Sequence, residues 1–171
     1  MRSKIVKAIV YTSNTGYTKK YALLLAEATL LPVYSLDEAK TRINSKDEVV
    51  YLGWIFAGKI KGLKQAKKKY LLKAVAAVGM AEYSGEYEKM IREGNALPET
   101  GTFYLQGGFD FAKLKGINRF IMGMMANMFK KKKEELTPED QTFLEMFETP
   151  SDFVSIEKLR PLINYLEKGQ E

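Results

Sequence analysis

Cysteine and histidine are both absent from these 171 residues. Without cysteine there is no disulfide framework, no thiol nucleophile, no cysteine-held zinc and no iron–sulfur cluster. Without histidine there is no Ser-His-Asp triad, no imidazole metal site and no imidazole acid–base step. An enzyme made from this chain works with carboxylates, lysine, tyrosine or hydroxyls, or takes its chemistry from a bound cofactor. Long apolar runs are missing too, and none is long enough to span a bilayer. The run Ile5–Tyr11 is too short for a secretory h-region, and polar residues interrupt it from Thr12 to Thr18. The expected compartment is the cytoplasm.

What is present is the balance of a folded domain: 46% hydrophobic and 28% charged residues. The length suits one domain over residues 1–171 with one substantial core. The net charge is +6 and the pI about 9.3. A basic balance suits nucleic acid, an anionic membrane or an acidic partner, and it serves solubility equally well. The lysines are dispersed apart from two short runs, Lys67–Lys69 and Lys130–Lys133. Nucleic-acid binding therefore has only charge behind it and is not expected.

Strand and helix signals alternate along the chain. Ile5–Tyr11 is rich in β-branched residues and reads as a buried parallel strand. Tyr21, Leu24, Leu25 and Ala28 fall at helical spacing within 18–30, ahead of Pro32. Leu31–Tyr34 reads as a second strand and Ser35–Ala39 as a capped helical turn. Asp47–Gly53 is the third strand, followed by a loop over 54–61 and a lysine-rich helix over 62–70. Leu71–Gly79 is the fourth strand, with a loop from Met80 to Gly85 and a short helix over 86–94. Thr102–Gln106 is the fifth strand. This order predicts an α/β fold: a doubly wound, five-stranded parallel sheet with helices on both faces. Its ligand crevice would lie at the carboxyl ends of the strands, where strand order reverses.

Beyond Gly107-Gly108 the strand signal stops. Ile117, Phe120, Ile121, Met124, Met125, Met128 and Phe129 recur at offsets of three and four, an amphipathic helix. Thr137-Pro138-Glu139 opens a further helix with a cap and an N1 proline. A last helix runs from about Ile156 to Leu166. The stretch 107–137 exceeds an ordinary connection and reads as an embellishment or a lid.

The chemistry-bearing motif is Ser13-Asn14-Thr15-Gly16-Tyr17-Thr18, between the first strand and the first helix. The first N–H groups of a helix have no internal acceptors and carry its positive dipole end, so they suit an anion. Ser13, Thr15 and Thr18 add hydroxyl donors, and Gly16 admits close approach. No lysine of the Walker type stands here, and neither GxGxxG nor GxxxxGK[ST] is present. The loop is either a cradle for one phosphomonoester or a hydroxyl-rich turn that caps the helix.

Ser13 to Thr18 resembles the flavin mononucleotide (FMN) phosphate loop of flavodoxins position by position. The resemblance implies a flavodoxin-like fold with FMN at the carboxyl edge of the sheet. Two further loops would enclose the ring. One is Trp54, Ile55, Phe56, Ala57, Gly58 and Lys59 after the third strand. The other is Gly79, Met80, Ala81, Glu82 and Tyr83 after the fourth. Trp54 and Tyr83 are the stacking candidates, each also readable as an ordinary loop aromatic. The ring-loop sequences depart from common flavodoxin patterns. The basic charge departs from acidic electron shuttles, and Lys59 and Lys61 beside the ring loop would raise the flavin potential.

The segment Ile117-Asn118-Arg119-Phe120-Ile121-Met122 resembles the flavodoxin-like menaquinone-dependent protoporphyrinogen dehydrogenases, which carry an amphipathic insertion at this place. That likeness implies electron transfer between an organic substrate and a quinone-type small molecule, near the membrane. The Met-rich helix reads first as core packing on the sheet. The other reading is peripheral membrane contact through 117–133, with Lys130–Lys133 on anionic headgroups.

The expected function is an FMN-binding oxidoreductase or electron carrier that meets a redox partner protein or a quinone. No side chain need act as a catalyst in the strict sense. The alternative is a binding module that kept the fold, lost FMN and acts through its basic or Met-rich surface.

Overall fold

A computed structural model of the chain describes residues 5–132 and 136–169. Five parallel strands form the sheet: β1 (Ala8–Thr12), β2 (Val33–Ser35), β3 (Glu48–Phe56), β5 (Leu71–Gly79) and β6 (Thr102–Gln106). Between β3 and β5 comes the short strand β4 (Lys59–Ile60). The spatial order is β2-β1-β3-β5-β6, so strand order reverses at β1 and β3. This is the doubly wound arrangement expected from the alternation of elements, with its crevice above the ends of β1 and β3.

The period of two along the strands divides the core into two layers. Ala8, Val10, Val49, Tyr51, Val75 and Ala77 face one side. Helices α2 (Leu36–Arg42), α3 (Leu63–Lys69) and α4 (Gly85–Gly94) cover that layer. Ile9, Val50, Leu52, Ala76 and Val78 face the other. There α1 (Tyr17–Thr29) and α7 (Ile156–Lys168) supply Tyr21, Leu25, Leu159 and Leu162. All four are fully buried, each worth roughly 1.5–3 kcal/mol of apolar transfer. Helix α2 is held by a capping box between Ser35 and Glu38.

The chain departs from the sequence reading in three places. β1 starts at Ala8, because Ile5 is exposed and pairs with no strand. Residues 54–61 are not a loop: β3 continues through Trp54, Ile55 and Phe56 and returns antiparallel as β4, pairing Ile55 with Ile60 and Phe56 with Lys59. Ala57 and Gly58 make the turn with φ of 49° and 73°, the paired positive values that a two-residue hairpin turn requires. The segment after Gly107 does contain strand: β7 (Gly108–Phe109) pairs antiparallel with β8 (Ser151–Asp152).

Between β7 and β8 the chain builds a layer of its own. A 3₁₀ turn at Phe111–Lys113 leads to α5 (Gly116–Lys131) and α6 (Pro138–Glu148). Thr137 caps α6, its hydroxyl accepting from the Asp140 N–H, with Pro138 behind it. Phe109, Leu114 and Met122 form a small buried cluster with Phe56, Phe111, Phe143 and Phe147 around it. The layer stands over the carboxyl ends of the strands, since Phe56 closes the hairpin and Phe109 follows β6.

β6 is the edge of the sheet. The Glu88 carboxylate of α4 accepts from the Tyr104 N–H on that edge at 3.0 Å. No helix among the described residues is long and apolar enough to cross a membrane.

Candidate functional site

Two adjoining cavities open above β1 and β3. The larger, about 880 Å³, is polar and is walled by Ser13–Gly16, Ser35, Gln65 and part of the inserted layer. The smaller, about 290 Å³, is a mainly apolar slot between the hairpin and the end of β5. Asn14, Thr15 and Trp54 line both. The larger lies within, and the smaller at the lower edge of, the roughly 300–1,000 Å³ that small-molecule sites span.

The loop at the end of β1 is shaped for an acceptor that it does not itself contain. Gly16 is the N-cap of α1, left-handed at φ 102°, and no side chain caps the helix. The Ser13 hydroxyl oxygen instead accepts from the Gly16 N–H at 3.2 Å, closing the turn. The first intrahelical bond runs from the Lys20 N–H to the Gly16 carbonyl. The N–H groups of Tyr17, Thr18 and Lys19 therefore have no helical acceptor. A Cβ built on Gly16 meets nothing within 4 Å, so the glycine answers to backbone conformation and leaves open space beside it. The turn does not serve as a side-chain cap.

The six loop residues divide between the two cavities. Ser13 and Gly16 lie on the polar side, while Asn14 and Thr15 lie on both. Tyr17 and Thr18 are buried and line the slot. Burial, with Asp110 and Asp152 nearby, raises the Tyr17 pKa, which keeps that wall neutral.

Of the first ring loop, Trp54 to Gly58 line the slot. Trp54 and Phe56 stand on one face of the hairpin with ring centroids 5.8 Å apart. The Lys61 ammonium lies 5.8 Å from the Trp54 centroid and 5.1 Å from that of Phe56. Lys59 is turned away, its ammonium donating to the Gly94 carbonyl. Tyr51 sits beneath the hairpin: its hydroxyl contacts the Lys61 carbonyl at 2.6 Å and Thr12 Oγ1 at 2.8 Å. Burial pushes the Tyr51 pKa up to about 12 against the opposing Thr12 bond. Gly62 closes the junction, where a Cβ would stand 2.2 Å from the Tyr51 hydroxyl.

Of the second ring loop, Gly79, Met80 and Ala81 line the slot, and Glu82 and Tyr83 do not. Tyr83 is 60% exposed and borders a separate depression with Phe103 and Lys158. The local bonds explain this. The Tyr104 hydroxyl donates to the Ala81 carbonyl at 2.5 Å, and Ser84 caps α4 by accepting from the Tyr87 N–H. Pinned at both sides, residues 82 and 83 arch outward. Tyr87 takes the place on the slot, edge-on to Tyr104 at 5.0 Å. Its signal was faint, an aromatic three residues beyond a capping serine.

The inserted layer, whose length allowed a lid, supplies the roof, though no pattern marked which of its residues face the cavities. Phe109, Leu114 and Met122 close the slot. Lys113 and Lys115 border the polar cavity, together with Lys19 and Lys61. Among the described residues that line it, the one carboxylate, Asp37, is paired with Lys40.

The face of α5 away from the roof is exposed. Met122 and Ala126 are buried, whereas Ile117, Phe120, Met124, Met125 and Met128 are exposed. The Met-rich helix is thus core along one narrow line only, and its apolar face is wider than its packing surface. Lys133 lies outside the described residues.

A neutral hydrogen-bonding loop at an uncapped helix end, beside an apolar slot with aromatic walls, can hold a planar ligand that ends in an anion. No curated protein matches the chain. The model of the flavodoxin domain matches residues 8–136, from the first residue of β1 into the inserted layer. The chain belongs to the flavodoxin domain family.

Proposed function

We propose that the chain binds FMN and acts as an electron-transferring flavoprotein. The observation that carries this reading is the uncapped N-terminus of α1 on a polar cavity that joins an apolar slot at Asn14, Thr15 and Trp54. The N–H groups of Tyr17 to Lys19, with the Ser13 and Thr15 hydroxyls, would hold the phosphate. Trp54 to Gly58 and Gly79 to Ala81 would flank the ring, with Tyr87 in the role expected of Tyr83. FMN, when bound, supplies one- and two-electron transfer. The chain's part is to bind, orient and exclude water. Purified protein incubated with FMN and desalted is expected to retain the flavin absorption bands. A colourless product overturns the reading and favours the binding module.

Lys61 is the cation at the junction of slot and cavity, and it favours negative charge there. Lys61→Gln is expected to lower the midpoint potential of bound flavin by on the order of 20 mV. An unchanged redox titration would remove Lys61 from the account.

The acceptor in this reading is a lipid-soluble quinone, reached from the surface of an anionic membrane. Support comes from the exposed stripe Ile117, Phe120, Met124 and Met128 on α5. From Lys113 to Lys132 there is no Asp or Glu, while α6 carries Glu139, Asp140, Glu145 and Glu148. An apolar stripe flanked by cations suits an interfacial helix, whereas two copies meeting there would oppose like charges. Wild type is expected to float with anionic vesicles and not with neutral ones, and Phe120→Ser/Met124→Ser to remain in solution. Equal behaviour of the two proteins would exclude this contact.

A further inference from the structure

We propose that the inserted layer is a working part of the phosphate site: Lys113 and Lys115 supply charge that the loop lacks, and Asn14 holds them in register. The inference rests on the flavin reading above.

The loop Ser13–Gly16 offers only neutral donors. A phosphomonoester carries about −1.5 to −2 near neutral pH, and the helix end answers with about half a positive charge. Full positive charges on the polar cavity come from Lys19, Lys61, Lys113 and Lys115. Lys61 stands over the Trp54 and Phe56 rings. Lys113 and Lys115 come from the roof, about a hundred residues along the chain.

Their placement has two fixings. The Lys115 N–H donates to Asn14 Oδ1 at 3.0 Å, joining the inserted layer directly to the phosphate loop. Leu114 between them is buried in the aromatic cluster and lines the slot. Leu114 and Lys115 have extended backbone, with φ/ψ of −65°/137° and −122°/156°. Neighbouring side chains on extended backbone take opposite faces. Anchoring Leu114 toward the slot thus leaves Lys115 to the polar side, while Lys113, the last residue of the 3₁₀ turn, borders the same cavity with its ammonium 5.8 Å from the Tyr17 ring centroid. Lys113 also meets Asp110 at 3.5 Å, which leaves Lys115 as the larger contributor. Asn14, matched in sequence to a phosphate ligand, spends its carbonyl on the roof and is a positioning residue.

The ligand chemistry is a phosphomonoester dianion, from the flavin or as free phosphate. The test compares FMN with riboflavin, which lacks the phosphate, by fluorescence titration at low and high salt. The proteins are wild type, Lys113→Gln, Lys115→Gln and the double variant. Each single change is expected to weaken FMN by roughly threefold to tenfold, as for partly screened charges, and to leave riboflavin within about twofold. Salt is expected to weaken FMN and spare riboflavin in wild type, and to do so less in the double variant. Lys115→Gln keeps the backbone N–H, so the bond to Asn14 survives. Asn14→Ala breaks that bond and is expected to speed amide exchange across 112–118. Equal loss of both flavins, or loss of neither, overturns the role of the lysines, and unchanged exchange overturns that of Asn14. If wild type binds neither flavin, the flavin reading fails. Inorganic phosphate then becomes the probe, and phosphate binding that Lys115→Gln leaves unchanged, or no binding, overturns the inference too.

Discussion

The sheet and the inserted layer above it are two differently made parts of one molecule. The sheet buries aliphatic side chains on both faces, with Ile9, Val49, Val50 and Leu52 at zero exposure. Among the described apolar residues of the inserted layer only Phe109, Leu114, Met122 and Ala126 are buried. Its packing includes aromatic rings meeting edge-on or tilted, such as Phe143 on Phe147 at 5.1 Å. The sheet's geometry is over-determined by ladder and packing together, while the layer's ties include one small cluster, a two-residue ladder, the Lys20–Asp152 ion pair and the bond to Asn14. Rigidity sits under the site and looser packing sits over it, the division expected where a ligand must enter.

The largest test of this contrast is Gly62→Ala. A Cβ there would stand 2.2 Å from the Tyr51 hydroxyl and 2.5 Å from Thr12 Oγ1, on backbone with φ 75°. It is expected to cost about 3 kcal/mol or more of global stability, read as a lowered denaturant midpoint. Next is Leu159→Ala, which empties a fully buried position beneath the sheet and is expected to cost about 3 kcal/mol.

Alkali probes the same half more gently. Burial raises the Tyr21 pKa to about 12, opposed by a backbone hydrogen bond, and that of Tyr51 to about 12 as well. A group raised in the folded state stabilises fully below its unfolded pKa of about 10. That stabilisation is lost as pH rises toward 12, where the unfolded chain binds fewer protons. Thermal midpoints are expected to fall between pH 10 and 12, and Tyr51→Phe to flatten the fall. The smallest effect belongs to Met122→Ala. Global stability is expected to drop by about 1 kcal/mol or less, while amide exchange rises across 109–131 alone. A loss as large as that of Leu159→Ala would erase the contrast.

The same division decided what could be read in advance. The five parallel strands follow from runs such as Ile9-Val10 and Val49-Val50, where residue type and burial agree. The hairpin was hidden because Trp54-Ile55-Phe56 is apolar on both sides and its turn is Ala-Gly, with Ala57 in a conformation that alanine seldom takes. The uncapped turn Ser13–Thr18 could be singled out because its place between strand and helix carries the physics. Of the two aromatics singled out, Trp54 lines the slot and Tyr83 does not, because the direction of Tyr83 depends on a bond from Tyr104 to Ala81. No local pattern can show that bond. For α5, helical periodicity announced an apolar face without saying what covers it. The roof lysines depend on a pairing between positions 14 and 115, beyond the reach of any local signal.

The carboxylate of Glu88 on the edge strand has a consequence for the company this protein keeps. A sheet stops growing only where the next strand is refused. The Tyr104 N–H is the donor that an arriving strand would need, and it is already taken by a negative charge. A second chain laid along β6 would have to strip that charge from its partner and bury it, at a cost beyond what one new ladder bond returns. The same side chain that finishes one fold thereby discourages the start of a fibre.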